Sequence, residues 1–370
     1  MMIEHEVVRL GDVCELIAGD ELDFSCVTDE PEGMPVVMLG DFDDGDNYSY
    51  YTGAYNENNL VENGEFLVHM SGDDVKIEEW IGPQAIFSDR MCRLRPNAER
   101  LDAHFMYYAL SYIFQKLEDD ENADLLINHI DEDELRDTLI PLPPLDVQEK
   151  IVDVLSNAYE LVELQREQME TMEMLVHSRF VQLFGDVSAN TCDWPIRPLG
   201  ELGERLKSRS ILDKDRHPGS YPYYEANGIV DYIDEYQFDE DMLLVAKVGS
   251  VLSSGDHNIA QAAKGKTWPS DFVHIMRLGN EVTTDYVAMV INSLSEEDLG
   301  LRGGVIPKLP TASLNSLPIP CPPIELQLEY AAFLKMVDEQ ASAMRKRLGD
   351  LAKICYSLNQ LYFESSICCE

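Results

Sequence analysis

Long apolar runs and an export signal are both missing from this chain of 370 residues. No segment approaches the ~18 consecutive apolar residues that indicate a membrane-spanning helix. The first residues lack the basic start and the apolar run of a signal peptide. We therefore expect a cytoplasmic protein that makes no contact with a membrane. Hydrophobic residues make up 45% of the chain, which is typical of a globular protein with room for two domains.

Metal-ligand and cofactor motifs are missing as well. The eight cysteines are scattered without C-x-x-C spacing, which predicts free thiols and neither a zinc site nor a disulfide framework. No glycine-rich cofactor loop follows a strand, and the Asn/Asp-Pro-Pro-aromatic tetrapeptide of amino-methyltransferases is absent. Asp74 and Lys76 have the D-x-K spacing of many nucleases, but a three-residue match arises by chance in a chain this long. We therefore expect a protein that is not an enzyme and binds no metal.

Basic residues are scarce. Lysine and arginine number 28 against 69 acidic residues, for a formal net charge of −41. Nucleic-acid binders gain much of their affinity by neutralising phosphates, so this total argues against DNA binding. The charge is uneven, however: residues 1–140 hold 8 basic and 34 acidic residues, whereas residues 187–325 hold 12 and 20. A strongly acidic total does not exclude a local basic face, so the distribution decides the question.

The chain does contain a unit that occurs twice. Residues 139–148 and 318–327 both read as a short proline-stiffened strand that ends at the start of a long helix. In the first copy we expect Asp146 to cap the helix, with Glu149 completing a capping box. Apolar residues then recur at steps of three and four, which is typical of a coiled-coil seam. The predicted seam residues are Ile151, Leu155, Ala158, Leu161 or Val162, Met169, Met172 and Val176 in the first helix, and Leu334, Val337, Ala341, Met344, Leu348, Leu351, Ile354 and Leu358 in the second.

This repetition predicts an α+β fold with two mixed α/β modules, each followed by a long helix. We place the first module at residues 1–145 and its helix at 146–186. The second module follows at 187–324, its helix at 325–365 and a tail at 366–370. Because a whole module separates the helices, an antiparallel coiled coil with one module at each end is the economical arrangement. A seam of about 35 residues would span roughly 50 Å.

The duplicated strand–proline–helix segments and residues 175–186, Leu-Val-His-Ser-Arg-Phe-Val-Gln-Leu-Phe-Gly-Asp, resemble the DNA specificity subunits of type I restriction-modification systems. The resemblance implies that each module is a target recognition domain for one half of a bipartite site in double-stranded DNA. It implies that the helices set the gap between the halves and dock two methyltransferase subunits, with restriction and motor subunits joining the complex. It also implies that this chain binds no cofactor, because S-adenosylmethionine and ATP belong to partner subunits.

Modules that read DNA should gather basic, amide and aromatic side chains in glycine-rich loops. The candidate DNA-binding residues are Ser71, Lys76, Arg90 and Arg93 in the first module, and Lys207, Arg209, Tyr223, Asn227, Lys247, Ser250, His257, Lys264, Lys266, Arg302 and Lys308 in the second. The alternative interpretation is that the lysines are solvated surface residues and the tyrosines belong to a core. In the first module we expect the acidic segments 20–32 and 41–46 to point away from DNA.

A competing hypothesis attributes the acidity to the function of the protein. A chain derived from this family could mimic DNA and occupy methyltransferase surfaces without reading a sequence. A degenerate first module and a salty cytoplasm are two further explanations of the charge. Basic faces on both modules favour the reader, whereas a continuous acidic stripe favours the mimic.

Overall fold

The structure is a computed structural model that describes residues 6–38, 48–71, 75–118, 129–253, 259–303 and 306–364. The chain forms two compact units. The first comprises Met1–Arg166 with Lys346–Glu370, and the second comprises Glu167–Arg345. Both long helices cross from one unit into the other, so each unit contains one module and parts of both helices. Among the helices of the described ranges, none is long and apolar enough to cross a membrane.

The first unit is built on three small sheets. Its elements are β1 (Glu6–Arg9), β2 (Cys14–Ala18), β3 (Val27–Thr28), β4 (Met34–Val36), β5 (Ser49–Tyr51), β6 (Leu60–Val61), β7 (Phe66–His69), β8 (Lys76–Glu79), β9 (Ala85–Ile86), β10 (Met91–Pro96), α1 (Ala103–Glu118), α2 (Glu132–Asp137), β11 (Leu139–Leu142) and the start of α3 (Leu145–Phe184). β1 pairs with β11, four strands follow the order β2-β10-β7-β8, and five follow the order β3-β5-β4-β9-β6.

The second unit repeats this plan. Its elements are the end of α3, β12 (Ile196–Pro198), α4 (Leu199–Leu202), β13 (Gly203–Leu206), β14 (Pro218–Glu225), β15 (Gly228–Ile233), β16 (Phe238–Asp239), β17 (Met242–Ala246), β18 (Ala260–Ala263), β19 (Lys266–Pro269), β20 (Val273–Leu278), α5 (Thr284–Asn292), α6 (Glu296–Leu299), α7 (Thr311–Ser316), β21 (Pro318–Pro320) and α8 (Ile324–Asn359), which starts here. β12 pairs with β21, and the two larger sheets have the orders β13-β20-β17-β18 and β15-β14-β19-β16. The expected mixed α/β fold with an internal duplication is confirmed.

Each unit has its main core between a four-stranded sheet, a helix and the long helices. In the first unit Phe105 of α1 and Leu155 of α3 are fully buried in one cluster with Phe363, which follows α8. In the second, Phe180 and Phe184 at the end of α3 are buried in the main cluster. The long helices are therefore part of both cores, and their apolar faces hold the modules in place.

Within each unit, one end of α3 packs against the opposite end of α8, as an antiparallel pair requires. In the first unit the Asn359 amide donates to the Tyr159 hydroxyl over 2.7 Å. In the second, Arg179 forms an ion pair with Glu329, and the rings of Phe180 and Tyr330 lie 5.3 Å apart.

The structure decides between seam residues that periodicity left open. In α3, Val162 is buried and Leu161 is 53% exposed, so Val162 belongs to the seam. In α8 the prediction of Ile354 was wrong: Ile354 is 51% exposed, and its neighbour Cys355 is buried. Seam spacing of three or four residues leaves this choice between neighbours to tertiary packing.

A buried glutamine explains the repeated strand–proline–helix segment. The Gln148 side chain donates to the carbonyl oxygens of Pro143 (2.7 Å) and Arg100 (2.9 Å), and it accepts from the amide of Asp102 (2.8 Å). The amide therefore ties the start of α3 to the segment that leads into α1. The prediction of Asp146 as helix cap was wrong, because α3 begins at Leu145 and Asp146 lies in its first turn.

The second copy uses the same device. Gln327 donates to the carbonyl oxygens of Pro322 (2.9 Å) and Glu281 (3.2 Å), and it accepts from the amide of Thr283 (2.9 Å). Both glutamines are fully buried. A buried amide with three well-placed partners fixes the direction in which the helix leaves its module.

We expect Gln148→Ala to lower the free energy of unfolding by roughly 2–4 kcal/mol, because it leaves two carbonyl oxygens and one amide without their buried partner. Urea denaturation followed by circular dichroism measures the change. Gln168→Ala is the matched control, since Gln168 lies on the same helix and is exposed. Equal free energies of unfolding for the two variants would show that the hydrogen bonds of Gln148 do not contribute to stability.

Candidate nucleic-acid interface

In the second unit, the end of the central strand β17 carries the densest group of predicted contact residues. The Lys247 backbone amide donates to Phe272 (2.9 Å), and its carbonyl accepts from Leu309 (3.0 Å). One residue pair further on, Val248 bridges Lys308, and the amide of Gly249 donates to Pro307 (3.2 Å). Backbone pairing therefore brings the predicted residues Lys247, Ser250 and Lys308 together in the loops beyond the end of β17.

Arg302 joins this group through a closed loop. Its amide donates to the Lys308 carbonyl (2.9 Å), and the Lys308 amide donates back to the Arg302 carbonyl (2.7 Å). Gly303 makes this closure possible: its φ is +114°, and a Cβ there would lie 2.6 Å from the carbonyl oxygen of Ile306. Only glycine adopts this geometry without strain.

We call Lys247, Arg302 and Lys308 the loop edge of the second unit. Their side chains are available to contact an anion. Lys247, Arg302 and Lys308 are exposed, and within the described part of the chain none of them forms an ion pair with an acidic residue. The Lys247 ammonium donates to the carbonyl oxygen of Asp271 over 3.2 Å, which still leaves it two protons to donate. Three cations in loops closed by glycine are suited to contact phosphate oxygens.

A second group of predicted residues lies on and beside the β15-β14-β19-β16 sheet. The guanidinium of Arg209 lies 5.3 Å from the Trp268 ring centre, and the ammonium of Lys266 lies 4.7 Å from that of Tyr236. Lys207 is exposed, as is Asn227 in the turn between β14 and β15. The cation–π contacts orient their cations without neutralising them.

Two predicted residues of the second unit, Tyr223 and Lys264, are buried or ion-paired. Tyr223 is fully buried, with Arg216 stacked 4.1 Å from its ring centre, so its prediction as a DNA contact was wrong. Lys264 is exposed but forms an ion pair with Asp285 at 3.0 Å, although Lys266, two residues later, has no such partner among the described residues. His257 lies outside the described residues.

In the first unit the predicted residues are less available. Lys76 pairs with Glu78 at 2.8 Å, and Glu78 also lies 2.7 Å from the buried His69. Burial opposes ionisation of Glu78, but the hydrogen bonds from His69 and Lys76 outweigh it and hold the pKa of this carboxyl below its usual range. Lys76 therefore already has a carboxylate partner. Ser71 is half-buried and bridges His129.

Arg93 was wrongly predicted as a surface contact. It is 5% exposed, and its guanidinium donates to the carbonyl of Leu60 and faces Glu65 at 3.8 Å. Burial lowers the pKa of this group from its usual value. The residue lies in β10, a strand paired on both sides, so strand pairing and not local sequence determines its burial.

Arg90 is exposed and, unlike Lys76, has no acidic partner among the described residues. The backbone of Asp20 pairs with Ser88, and its carbonyl accepts from Asp89 over 3.0 Å. The acidic segment 20–32 therefore begins beside Ser88 and Asp89, and the expectation that it points away from DNA stays a prediction. The segment 41–46 lies outside the described residues.

Sequence reasoning missed His129 and Phe272. His129 is exposed and pairs with Ser71, while Phe272 is 46% exposed and pairs with Lys247. Finding them requires carrying the offset of about 180 residues between the two copies into the loops. The sequence there is too divergent for the match to be visible without the strand ladders.

Comparison with known proteins agrees with this architecture. A family profile described as "Type I restriction modification DNA specificity domain" matches residues 2–174 and 192–353. A crystal structure of a type I restriction-modification system S subunit from M. genitalium superposes with a TM-score of 0.59 at 17% identity, covering 97% of this chain and 96% of that one. At that identity the likeness shows the fold. The chain belongs to the family of type I restriction modification DNA specificity domains.

Two relatives illustrate the range of similarity. The EcoBI specificity subunit of Escherichia coli is 24% identical over 175 residues, which cover 47% of this chain and 36% of that protein. A putative MjaX specificity subunit of Methanocaldococcus jannaschii is 24% identical over 324 residues, which cover 75% of this chain and 73% of that protein. The chain thus spans about a third of the Escherichia coli relative and most of the archaeal one.

We expect Gly303→Ala to weaken DNA binding by roughly tenfold, because the strain of a positive φ at a non-glycine residue costs about 1–3 kcal/mol and opens the loop that holds Arg302 and Lys308. Fluorescence anisotropy with the purified protein and a labelled DNA duplex measures the effect. Gly279→Ala is the control, since a Cβ there meets its nearest neighbour at 3.4 Å without positive φ. Equal binding by both variants would remove the loop from the interface.

Proposed function

We propose that this chain is the sequence-reading subunit of a type I restriction-modification complex. The observation that carries the proposal is the loop edge of the second unit, where Lys247, Arg302 and Lys308 are held together by backbone hydrogen bonds and have no acidic partner among the described residues. Phosphate contacts from such residues position a recognition domain, and side chains that reach the base edges supply sequence selection.

The duplicated topology supports a bipartite target. Each unit contains a four-stranded sheet with the same three strand pairings, in the order β2-β10-β7-β8 in the first unit and β13-β20-β17-β18 in the second. One helix of the module, α1 or α5, belongs to the same core. Two similar recognition domains on one chain would read two half-sites in double-stranded DNA. The subunit itself would carry out no chemistry, and S-adenosylmethionine and ATP would be bound by partner subunits.

Exposed apolar residues on the long helices support the docking of methyltransferase subunits. On α3 these residues include Val154, Leu161 and Leu164 in the first unit, and Met174, Leu175 and Val181 in the second. On α8 they include Ile354 and Tyr356 in the first unit, and Leu328 and Met336 in the second. Each unit therefore offers apolar helix surface to one methyltransferase subunit, with restriction and motor subunits completing the complex.

The competing role, a DNA mimic, finds support in the total charge and in the acidic first unit. It does not account for the free cations of the loop edge in the second unit, since a protein that imitates DNA has no use for phosphate-binding groups. The reader therefore fits the second unit better than the mimic does.

Methylome sequencing of the source strain with and without this gene distinguishes the two roles. A reader predicts that at least one bipartite methylated motif disappears when the gene is deleted, because the methyltransferase subunits lose their guide to the site. A mimic predicts unchanged or increased methylation. Complementation with the intact gene is the control, and the reader proposal does not survive a deletion strain that keeps every bipartite motif.

If the paired helices set the gap between half-sites, lengthening both should lengthen the gap. We expect one heptad inserted after Arg166 and one after Arg345 to add about 10 Å, or roughly three base pairs, to the methylated motif. The insertions fall where both helices cross the unit boundary, and methylation mapping reads the gap. The control replaces the seven residues before each insertion point with the same heptad, so that both helices keep their wild-type length. Active methylation with an unaltered gap would contradict a spacing role.

A further inference from the structure

The two units place different side chains at equivalent backbone positions of the candidate interface. The strand ladders match: Leu94 pairs with Phe66 in the first unit, as Met276 pairs with Leu243 in the second. Four residues after Leu243, Lys247 receives the amide of Leu309 at 3.0 Å. Four residues after Phe66 lies Met70.

The hydrogen bonds beyond the ladders match as well. Met70 receives the amide of Ile130 at 2.9 Å, as Lys247 receives that of Leu309. Ser71 then bridges His129 in the first unit, as Val248 bridges Lys308 in the second. Met70 is therefore equivalent to Lys247, and His129 is equivalent to Lys308.

These equivalent positions differ in charge. Lys247 and Lys308 are exposed ammonium groups, whereas Met70 is buried in the core of the first unit. His129 is exposed and carries an imidazole in place of an ammonium group. The first unit thus lacks both permanent charges that the second unit presents at this edge.

The remaining cations of the first unit are mostly paired. Six of the eight cations in residues 1–140 have an acidic partner within 4 Å, in the pairs Arg9–Asp137, Lys76–Glu78, Arg93–Glu65, Arg95–Glu65, Lys116–Glu364 and Arg136–Glu132. Arg90 and Arg100 have no such partner among the described residues. In the second unit Lys207, Lys247, Arg302 and Lys308 are exposed, and among the described residues they have no acidic partner. A cation already neutralised by a carboxylate gains less from phosphate, because the existing ion pair must be broken.

We propose that the two halves of the target are held unequally: the second unit anchors the DNA backbone through Lys247 and Lys308, and the first unit adds sequence selection with few phosphate contacts. This inference rests on the proposed function. Each phosphate neutralised by a cation makes the dependence of log Kobs on log salt concentration steeper by about 0.9. The number of phosphate contacts in each unit is therefore measurable without knowing the target sequence.

The test uses the assembled complex and a 40-base-pair mixed-sequence duplex, with binding measured by anisotropy over a series of potassium concentrations. Lys247→Gln combined with Lys308→His removes two anchoring charges and should make the slope shallower by about two. Lys76→Gln combined with Arg90→Gln removes the same number of charges from the first unit and should change the slope by less than half as much. His129→Lys should steepen it by about one, since it places an ammonium at the position of Lys308.

The substituted side chains are exposed, and Lys247→Arg, which keeps the charge, should retain the wild-type slope and so separates charge from folding. Equal or larger loss from the first-unit pair overturns the unequal anchoring, and so does an unchanged slope in His129→Lys. Absence of any binding by the wild-type complex at 50 mM potassium is a different result, because it removes the proposed DNA-reading function itself.

Discussion

The organisation of this chain depends on one interaction made twice, a buried glutamine at the start of each long helix. Gln148 and Gln327 each connect three backbone groups of the module to the helix, and both side chains are fully buried. Without that connection a proline-terminated strand and a helix start could hinge freely. With it, the direction of each helix is fixed by its own module, and the apolar seam has a defined line along which to pair.

Charge is distributed according to this framework. The helices and the first unit carry most of the acidity, whereas the loops at the end of β17 present Lys247, Arg302 and Lys308, which have no acidic partner among the described residues. Local potential at an interface depends on the nearest few charges once salt has screened the rest beyond about 10 Å. A net charge of −41 is therefore compatible with phosphate contact at one edge, and it keeps the remaining surface from binding DNA indiscriminately.

Sequence reasoning predicted the features that local pattern determines: two modules, two long helices and the duplicated strand–proline–helix segment. It failed where burial is decided by partners far along the chain. Arg93 and Tyr223 look like surface contacts because basic and aromatic residues surround them, yet strand pairing and a stacked arginine place both inside. Lys264 and Lys266 look alike, but among the described residues only Lys264 has a carboxylate partner. Contacts with the facing helix, and not the sequence spacing, decide which of two neighbouring residues lies in the seam.

The burial of Phe363 in the first unit has a consequence for synthesis. Its ring lies 5.6 Å from that of Phe105, in a cluster whose other buried residues all come from the first half of the chain. The second unit is continuous in sequence and can close as soon as the ribosome has delivered it. The first unit must wait until the whole second unit, all of α8 and Phe363 have been translated. A message cut short in that last stretch would yield a chain whose second unit folds and whose first unit stays open, exposing apolar surface to proteases and chaperones.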